Sequence, residues 1–255
     1  MAGERVRTGI KGLDQMLNGG LIPHRPYIVS GPPGSGKSTL CMQFLLQGLK
    51  EGQHGLFVAL EEPPNEIRYN VESYGWKVGE VEILDANSDI RRFEPNPTLE
   101  ISSEIAPVAM KNVPAKIRKT PDGTSREITV HSLQQALKNL FAKERYDRVV
   151  IDSVTALRRF CMRNFEENVS TQSFMRFLSE SEKTALLTVE TPSNTTSSKL
   201  ETFLARGEIR LYKFRQDIGI KRFISIEKFK GSSHMESILP MELNENGLAV
   251  HARAS

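Results

Sequence analysis

Cysteine is scarce in this chain. Its 255 residues hold two, Cys41 and Cys161, far apart and with no CxxC neighbour. That excludes a disulfide framework and a cysteine-built zinc site, and leaves reduced, buried thiols as the expectation. Long apolar runs are missing as well. No stretch approaches the 18 residues that a spanning helix needs, and the opening "MAGERVRTGI" has charges but no apolar leader core, so the expectation is a cytoplasmic protein with no membrane association. Charge of one sign is not in excess: a net +3 is too small to imply a nucleic-acid partner unless the basic residues cluster. Internal repeats are absent, which removes solenoid architectures. The hydrophobic and charged fractions, 38% and 25%, are those of an ordinary globular chain and argue against overall disorder.

What is present is an alternation. Short β-branched runs at 26–30, 55–60, 81–86, 147–152 and 185–190 are separated by helical segments near 12–18, 37–51, 64–74, 132–144 and 167–182. That order predicts a mostly parallel, twisted α/β sheet flanked by helices. "NGG" at 18–20 offers a glycine for the left-handed cap that ends the first helix. From residue 207 on, strand-like runs follow one another with short polar turns, "GEIRLYKF", "KRFISIEKF" and "SILPMEL…GLAV". They predict antiparallel additions to the sheet. One domain, 1–255, accounts for the length. Within it, 87–130 has prolines, charges and no periodicity and is expected to be an inserted surface segment, its stretch 111–127 rich in Lys and Arg.

"GPPGSGKST", Gly31, Pro32, Pro33, Gly34, Ser35, Gly36, Lys37, Ser38 and Thr39, satisfies GxxxxGK[ST]. An apolar strand precedes it and a helix carrying Leu40, Phe44, Leu45 and Leu49 follows, which is the context the motif requires. Glycines let successive N–H groups turn toward phosphate oxygens, and the helix N-terminus adds partial positive charge. Lys37 is expected to bridge the outer phosphates and Ser38 to ligate Mg²⁺. The expected cofactors are ATP and Mg²⁺.

Hydrolysis needs acids as well. "RVVID" ends in Asp152, at the carboxyl tip of an apolar strand, where an aspartate reaches the metal through water. The neighbouring pair Glu61 and Glu62 ends "GLFVAL", again at a strand tip where ligands gather in open α/β sheets. Adjacent strand residues face opposite ways, so one of the two is expected to meet the terminal phosphate. From spacing alone, a catalytic pair and a merely exposed acidic strand end remain open.

Together, "TGIKGLDQMLNGGL", the phosphate loop, "FVALEEPPNEI", "SYGW", "RVVIDSVTAL" and "KFKGSSHMESILPMELNENGLAV" resemble the KaiC-type ATPase domain of the RecA superfamily, over nearly the whole chain except 87–130. The resemblance implies a RecA-like P-loop core and a catalytic role for Glu61 and Glu62 beside Lys37. It implies a nucleotide contact from Ser73, and hexameric rings with ATP between subunits. The neighbour then reaches across with Lys228, Phe229, Lys230, Ser232 and His234, and with Asn244 and Glu245. Without the resemblance, "EKFKGSSH" reads as a solvated basic turn. Two departures stand out. The family usually carries Arg where this chain has Lys230, a point charge without the bidentate fork. The clock protein joins two such domains and this chain has one.

The expected function is therefore a Mg-dependent ATPase that assembles into a homo-oligomeric ring, with a regulatory or mechanical role toward a protein partner that no motif specifies. Three alternatives stand beside it: a nucleotide-loaded scaffold with little turnover, a DNA-binding recombinase paralogue resting on the basic 111–127 stretch, and an autokinase resting on the hydroxyl-rich 191–202 stretch.

Overall fold

Five apolar runs dictate the centre of the fold. In the computed structural model, which describes residues 4–77, 79–86, 130–161, 167–192, 200–216 and 219–251, they become β1 (Pro26–Gly31), β2 (Gly55–Ala59), β3 (Glu82–Asp85), β4 (Arg148–Asp152) and β5 (Thr184–Glu190). Buried on both faces, such strands pair in parallel. Here β2 lies between β3 and β4, and β5 joins β4 to β1, all parallel.

The full sheet has nine strands in the order β3-β2-β4-β5-β1-β6-β7-β8-β9. The later strands are β6 (Gly207–Gln216), β7 (Gly219–Phe229), β8 (Leu239–Asn244) and β9 (Gly247–Val250). One expectation needs correcting here. β6 adds to β1 in parallel, from Tyr27↔Gly207 to Ser30↔Arg210, and the direction reverses only at β7. The residues of a strand encode its burial, not the direction of its partner.

Helices cover both faces. α1 (Lys11–Met16), α2 (Lys37–Lys50) and α3 (Pro64–Glu72) lie on one side, over a core that includes Leu13, Phe44, Ile67 and β1's Tyr27 and Val29. On the other, α4 (Val130–Lys143), α5 (Val154–Cys161) and α6 (Glu167–Glu180) pack Leu133, Leu157 and Leu178 with Ile28. A short α7 (Leu200–Leu204) precedes β6. The sequence reading did not resolve α5 and α7. α5 has a legible start nonetheless, because Ser153 Oγ accepts the Ala156 N–H at 3.1 Å, an N-cap. The first helix ends in a Schellman turn, with Asn18 N donating to Gln15 O and Gly19 N to Asp14 O. Asn18 itself (φ 53°) takes the left-handed position expected of a glycine. The proposed insertion lies outside the described residues up to 129, as do the basic 111–127 stretch and residues 193–199 of the hydroxyl-rich one; Val130 already belongs to α4.

Candidate functional site

The parallel strands all deliver their carboxyl ends to one edge of the sheet, and the loop after β1 crosses that edge into α2. Gly36 at the N-cap of α2 has φ 105°, and a Cβ there would sit 3.1 Å from Leu243, so both the turn and the packing need glycine. Lys37 Nζ donates to the carbonyls of Gly31 and Pro32, each at 3.0 Å. From the long β6–β7 hairpin, Lys213 Nζ donates to Pro33 O at 3.2 Å and Arg222 Nη2 to Gly34 O at 3.3 Å. Four successive carbonyls of the loop are thus held by cations. Burial depresses the Lys37 pKa, opposed by the carboxylates of Asp152, Glu190 and Glu61.

The acids converge on the same point. Ser38 Oγ donates to Asp152 Oδ2 at 2.7 Å, and the other oxygen of Asp152 accepts from Thr188 on β5. Glu61 accepts from the Ser153 hydroxyl that also caps α5. Glu62 accepts from Asn70 Nδ2 at 3.3 Å; burial, reinforced by the Asp152 charge, raises its pKa above the ordinary glutamate value. Thr188, Ser153 and Asn70 were not foreseen, because nothing in their local sequence says which distant carboxylate they orient.

A cleft of about 260 Å³ opens beside the loop, lined by Ser38, Thr39, Glu62, Asp152, Ser73 and Trp76 among others. Trp76 stacks on Tyr74 with centroids 4.9 Å apart. Ser73 is exposed, its hydroxyl donating to Asn70 O at 2.6 Å.

Whether ATP and Mg²⁺ fit can be judged from what the site leaves unused. Among the described residues, the buried side-chain polar atoms without hydrogen-bond partners are Ser35 Oγ, Thr191 Oγ1 and Arg222 Nε. All three border the loop: Ser35 is in it, Thr191 N donates to Gly31 O at 3.1 Å, and Arg222 holds Gly34. Orphaned polar atoms are costly, so their gathering at one spot fits a polar ligand there. For the metal, a serine hydroxyl and a carboxylate form a sparse oxygen set of the kind Mg²⁺ takes together with substrate phosphates. No cluster of three or more His, Cys, Asp or Glu side chains among the described residues offers a dedicated cage.

The residues expected to serve a neighbour divide into two groups. β7 runs back along β6, so Phe229 pairs with Gly207, which itself pairs with Tyr27 at the amino end of β1. Lys228, Phe229, Lys230, Ser232 and His234 therefore sit at the end of the sheet opposite their own phosphate loop. Lys228 Nζ donates to the carbonyls of Thr202 and Phe203 on α7. Burial, with Lys230 and Arg206 nearby, lowers its pKa. Phe229 is a core residue, 5% exposed and 5.8 Å from the Tyr27 ring. Asn244 and Glu245 do not belong with them. They form the β8–β9 turn, next to Leu243 against Gly36 and Gly247 against Trp76, at the chain's own loop. Expected with the residues that reach across, Asn244 and Glu245 stand instead beside their own chain's loop, because β8 runs antiparallel to β7 and ends at the other edge.

No helix among the described residues is long and apolar enough to cross a membrane. A family model described as ATPase: KaiC matches residues 6–255. A UPF0273 protein of Aeropyrum pernix is 31% identical over 250 residues, 97% of this chain and 94% of its own. The circadian clock oscillator protein KaiC of Parathermosynechococcus lividus is 27% identical over 260 residues, 96% of this chain but 42% of its own. The solved structure of a KaiC-like protein from the hyperthermophilic archaeon Pyrococcus horikoshii OT3 aligns with a TM-score of 0.71 at 25% identity, covering 98% of this chain and 99% of that one.

Proposed function

The chain belongs to the KaiC ATPase family, and from that premise we propose that it hydrolyses ATP with Mg²⁺ at sites shared between copies in a ring. One observation carries the hydrolytic reading: the Ser38–Asp152 pair at 2.7 Å lies beside Lys37, Glu61 and Glu62 at a single sheet edge. Ser38 and Asp152 would hold Mg²⁺, which supplies neutralisation of the phosphate charge when bound. Lys37 exchanges its carbonyl partners for phosphate oxygens, and the loop N–H groups complete the cradle. Glu62 accepts the proton of the attacking water. Its raised proton affinity suits it to that task better than Glu61, which Ser153 holds in place.

The shared site rests on position. Phe229, between Lys228 and Lys230, is level with Tyr27, four residue steps down the sheet from Gly31 and roughly 13 Å away at strand rise, so the two lysines serve another copy's phosphates or none. A cation supplied from a neighbour stabilises the charge on the transferring phosphoryl group and ties turnover to assembly. Lys230, lacking an arginine's fork, shares this work with Lys228. The role in the cell is regulatory or mechanical, exercised through the ring.

Steady-state phosphate release with Mg-ATP tests the activity, set beside the mass of the protein with and without nucleotide. Turnover that requires Mg²⁺ and appears with a large assembly is the expected result. Tight ATP binding without turnover would instead make the protein a nucleotide-loaded scaffold.

A further inference from the structure

The "KFKGSSH" segment, from the last residues of β7 into the turn that follows, is held far more firmly than a solvated basic turn needs to be. Arg5 Nη2 donates to Ser232 Oγ at 2.7 Å, and the Arg5 guanidinium lies 5.7 Å from the centre of the Phe229 ring. Asn18 Nδ2 donates to Ser233 O at 3.0 Å and to Ser233 Oγ at 3.1 Å. Arg25 Nη1 donates to Lys230 O at 3.0 Å. Backbone bonds add to these: Lys230 N donates to Arg206 O at 2.8 Å and Met235 N to Met16 O at 2.9 Å. Asn18 can reach Ser233 because it occupies the left-handed position after α1, from which its amide projects beyond the helix end.

The same clamp concentrates charge. Arg5, Arg25 and Arg206 all act on the buried Tyr27 phenol, whose pKa burial pushes up to about 12, while Arg206 and Lys230 both act on Lys228. Like charges gathered at one place repel; Glu208 beside Lys228 offsets part of this, and the bonds of Arg25 to Lys230 O and of Arg5 to Ser232 Oγ hold two of the cations against the turn. An anion that meets this surface lowers the repulsion further.

We infer that Arg5, Asn18 and Arg25 are positioning residues for the Lys228–Lys230 turn, setting the geometry with which one copy presents its cations to the phosphates bound by the next. This rests on the shared-site reading above. It gives the segment around α1, which lies away from its own phosphate loop, a catalytic consequence in a neighbouring molecule. The cations need to be placed to within a fraction of an ångström, since misplacement by about 1 Å can cost roughly 10²-fold in rate.

Complementation tests this in the full-length protein. Asn18→Gly removes both amide bonds while glycine keeps the left-handed backbone. Arg25→Met removes the bond to Lys230 and keeps the apolar stem, as a second variant should the first fold poorly. Each is expected to bind ATP as the wild type does, within about twofold, and to turn over ~10- to 100-fold more slowly. Mixed with Glu61→Gln/Glu62→Gln protein, each should regain activity, since that partner brings an intact turn. Mixed with Lys228→Ala protein, each should show no recovery, because both partners lack a working turn. Wild-type turnover in both variants, or recovery on mixing with Lys228→Ala under demonstrated subunit exchange, overturns the inference. Failure of Lys228→Ala and the glutamate variant to complement each other is a different outcome: it removes the shared site, and the positioning role with it.

Discussion

Lys37 and Glu62 carry the clearest consequences of single side chains. Lys37 is the loop's own cation, already placed over Gly31 and Pro32. Lys37→Ala should abolish tight ATP binding, read by calorimetry, and an unchanged dissociation constant would remove the loop from the site. Glu62 is a carboxylate that burial and Asp152 make reluctant to ionise. In its proposed role as base it works only when ionised, so turnover should be full above its folded pKa and decline as pH falls through it. The acid limb of kcat/KM, which reports the free enzyme, should therefore lie above the ordinary glutamate value. Glu66 also raises this pKa, so Glu66→Gln should move the limb toward lower pH. Stability runs the opposite way. The folded state holds the Glu62 proton more tightly than the unfolded chain, so in that window raising the pH lowers stability. Glu62→Gln should accordingly lower kcat by roughly 10²-fold while leaving the melting temperature unchanged or higher. A fall in both would mean that Glu62 is structural.

At the scale of elements, legibility followed burial. β1 to β5 and the helices between them other than α5 were readable, because strands covered on both faces are continuous apolar runs and α2 repeats its leucines with helical period. α5 and α7 were too short for a period to show. The parallel pairing of β6 was unreadable, since it depends on which neighbour is free beside β1. The site was legible in the same partial way. The loop and Asp152 stand at strand ends in a fixed spacing, whereas Thr188 and Ser153 matter only through contacts formed on folding. Arg148 is the extreme case. A charged residue opening β4 reads as an exposed strand start, yet it is 1% exposed. Its guanidinium donates to Gln53, to the carbonyls of Arg7 and Phe44, and to Glu51, and lies 4.8 Å from the Phe44 ring centre. It thereby ties the N-terminal segment, α2 and β4 together, and a fully partnered buried charge is costly to lose. Arg148→Ala should destabilise the fold by about 3–5 kcal/mol, measured by denaturant midpoint. A loss below ~1 kcal/mol, the scale of an exposed ion pair, would show that its partners are resolvated.

At the scale of the whole molecule, the sheet is polarised. One end gathers the carboxylates of Glu61, Glu62 and Asp152 together with the loop cations Lys37, Lys213 and Arg222; the other gathers Arg5, Arg25, Arg206, Lys228 and Lys230. Under the proposed shared site the cationic end of one copy meets the loop end of the next, and such a head-to-tail contact closes into a ring or extends into a filament depending on its rotation. In that arrangement bound triphosphate would add anionic charge at the loop end, so Mg-ATP should promote assembly and added salt should oppose it. If the active site is composite, specific activity should rise with protein concentration until the assembly is complete, because dilution removes the second half of every site. Mass measured across the same dilution series should follow activity, with dilution curves that superimpose. Activity that stays constant while the mass falls to that of one chain, 28.7 kDa, would place every catalytic group within a single copy and leave the cationic end to some other anion.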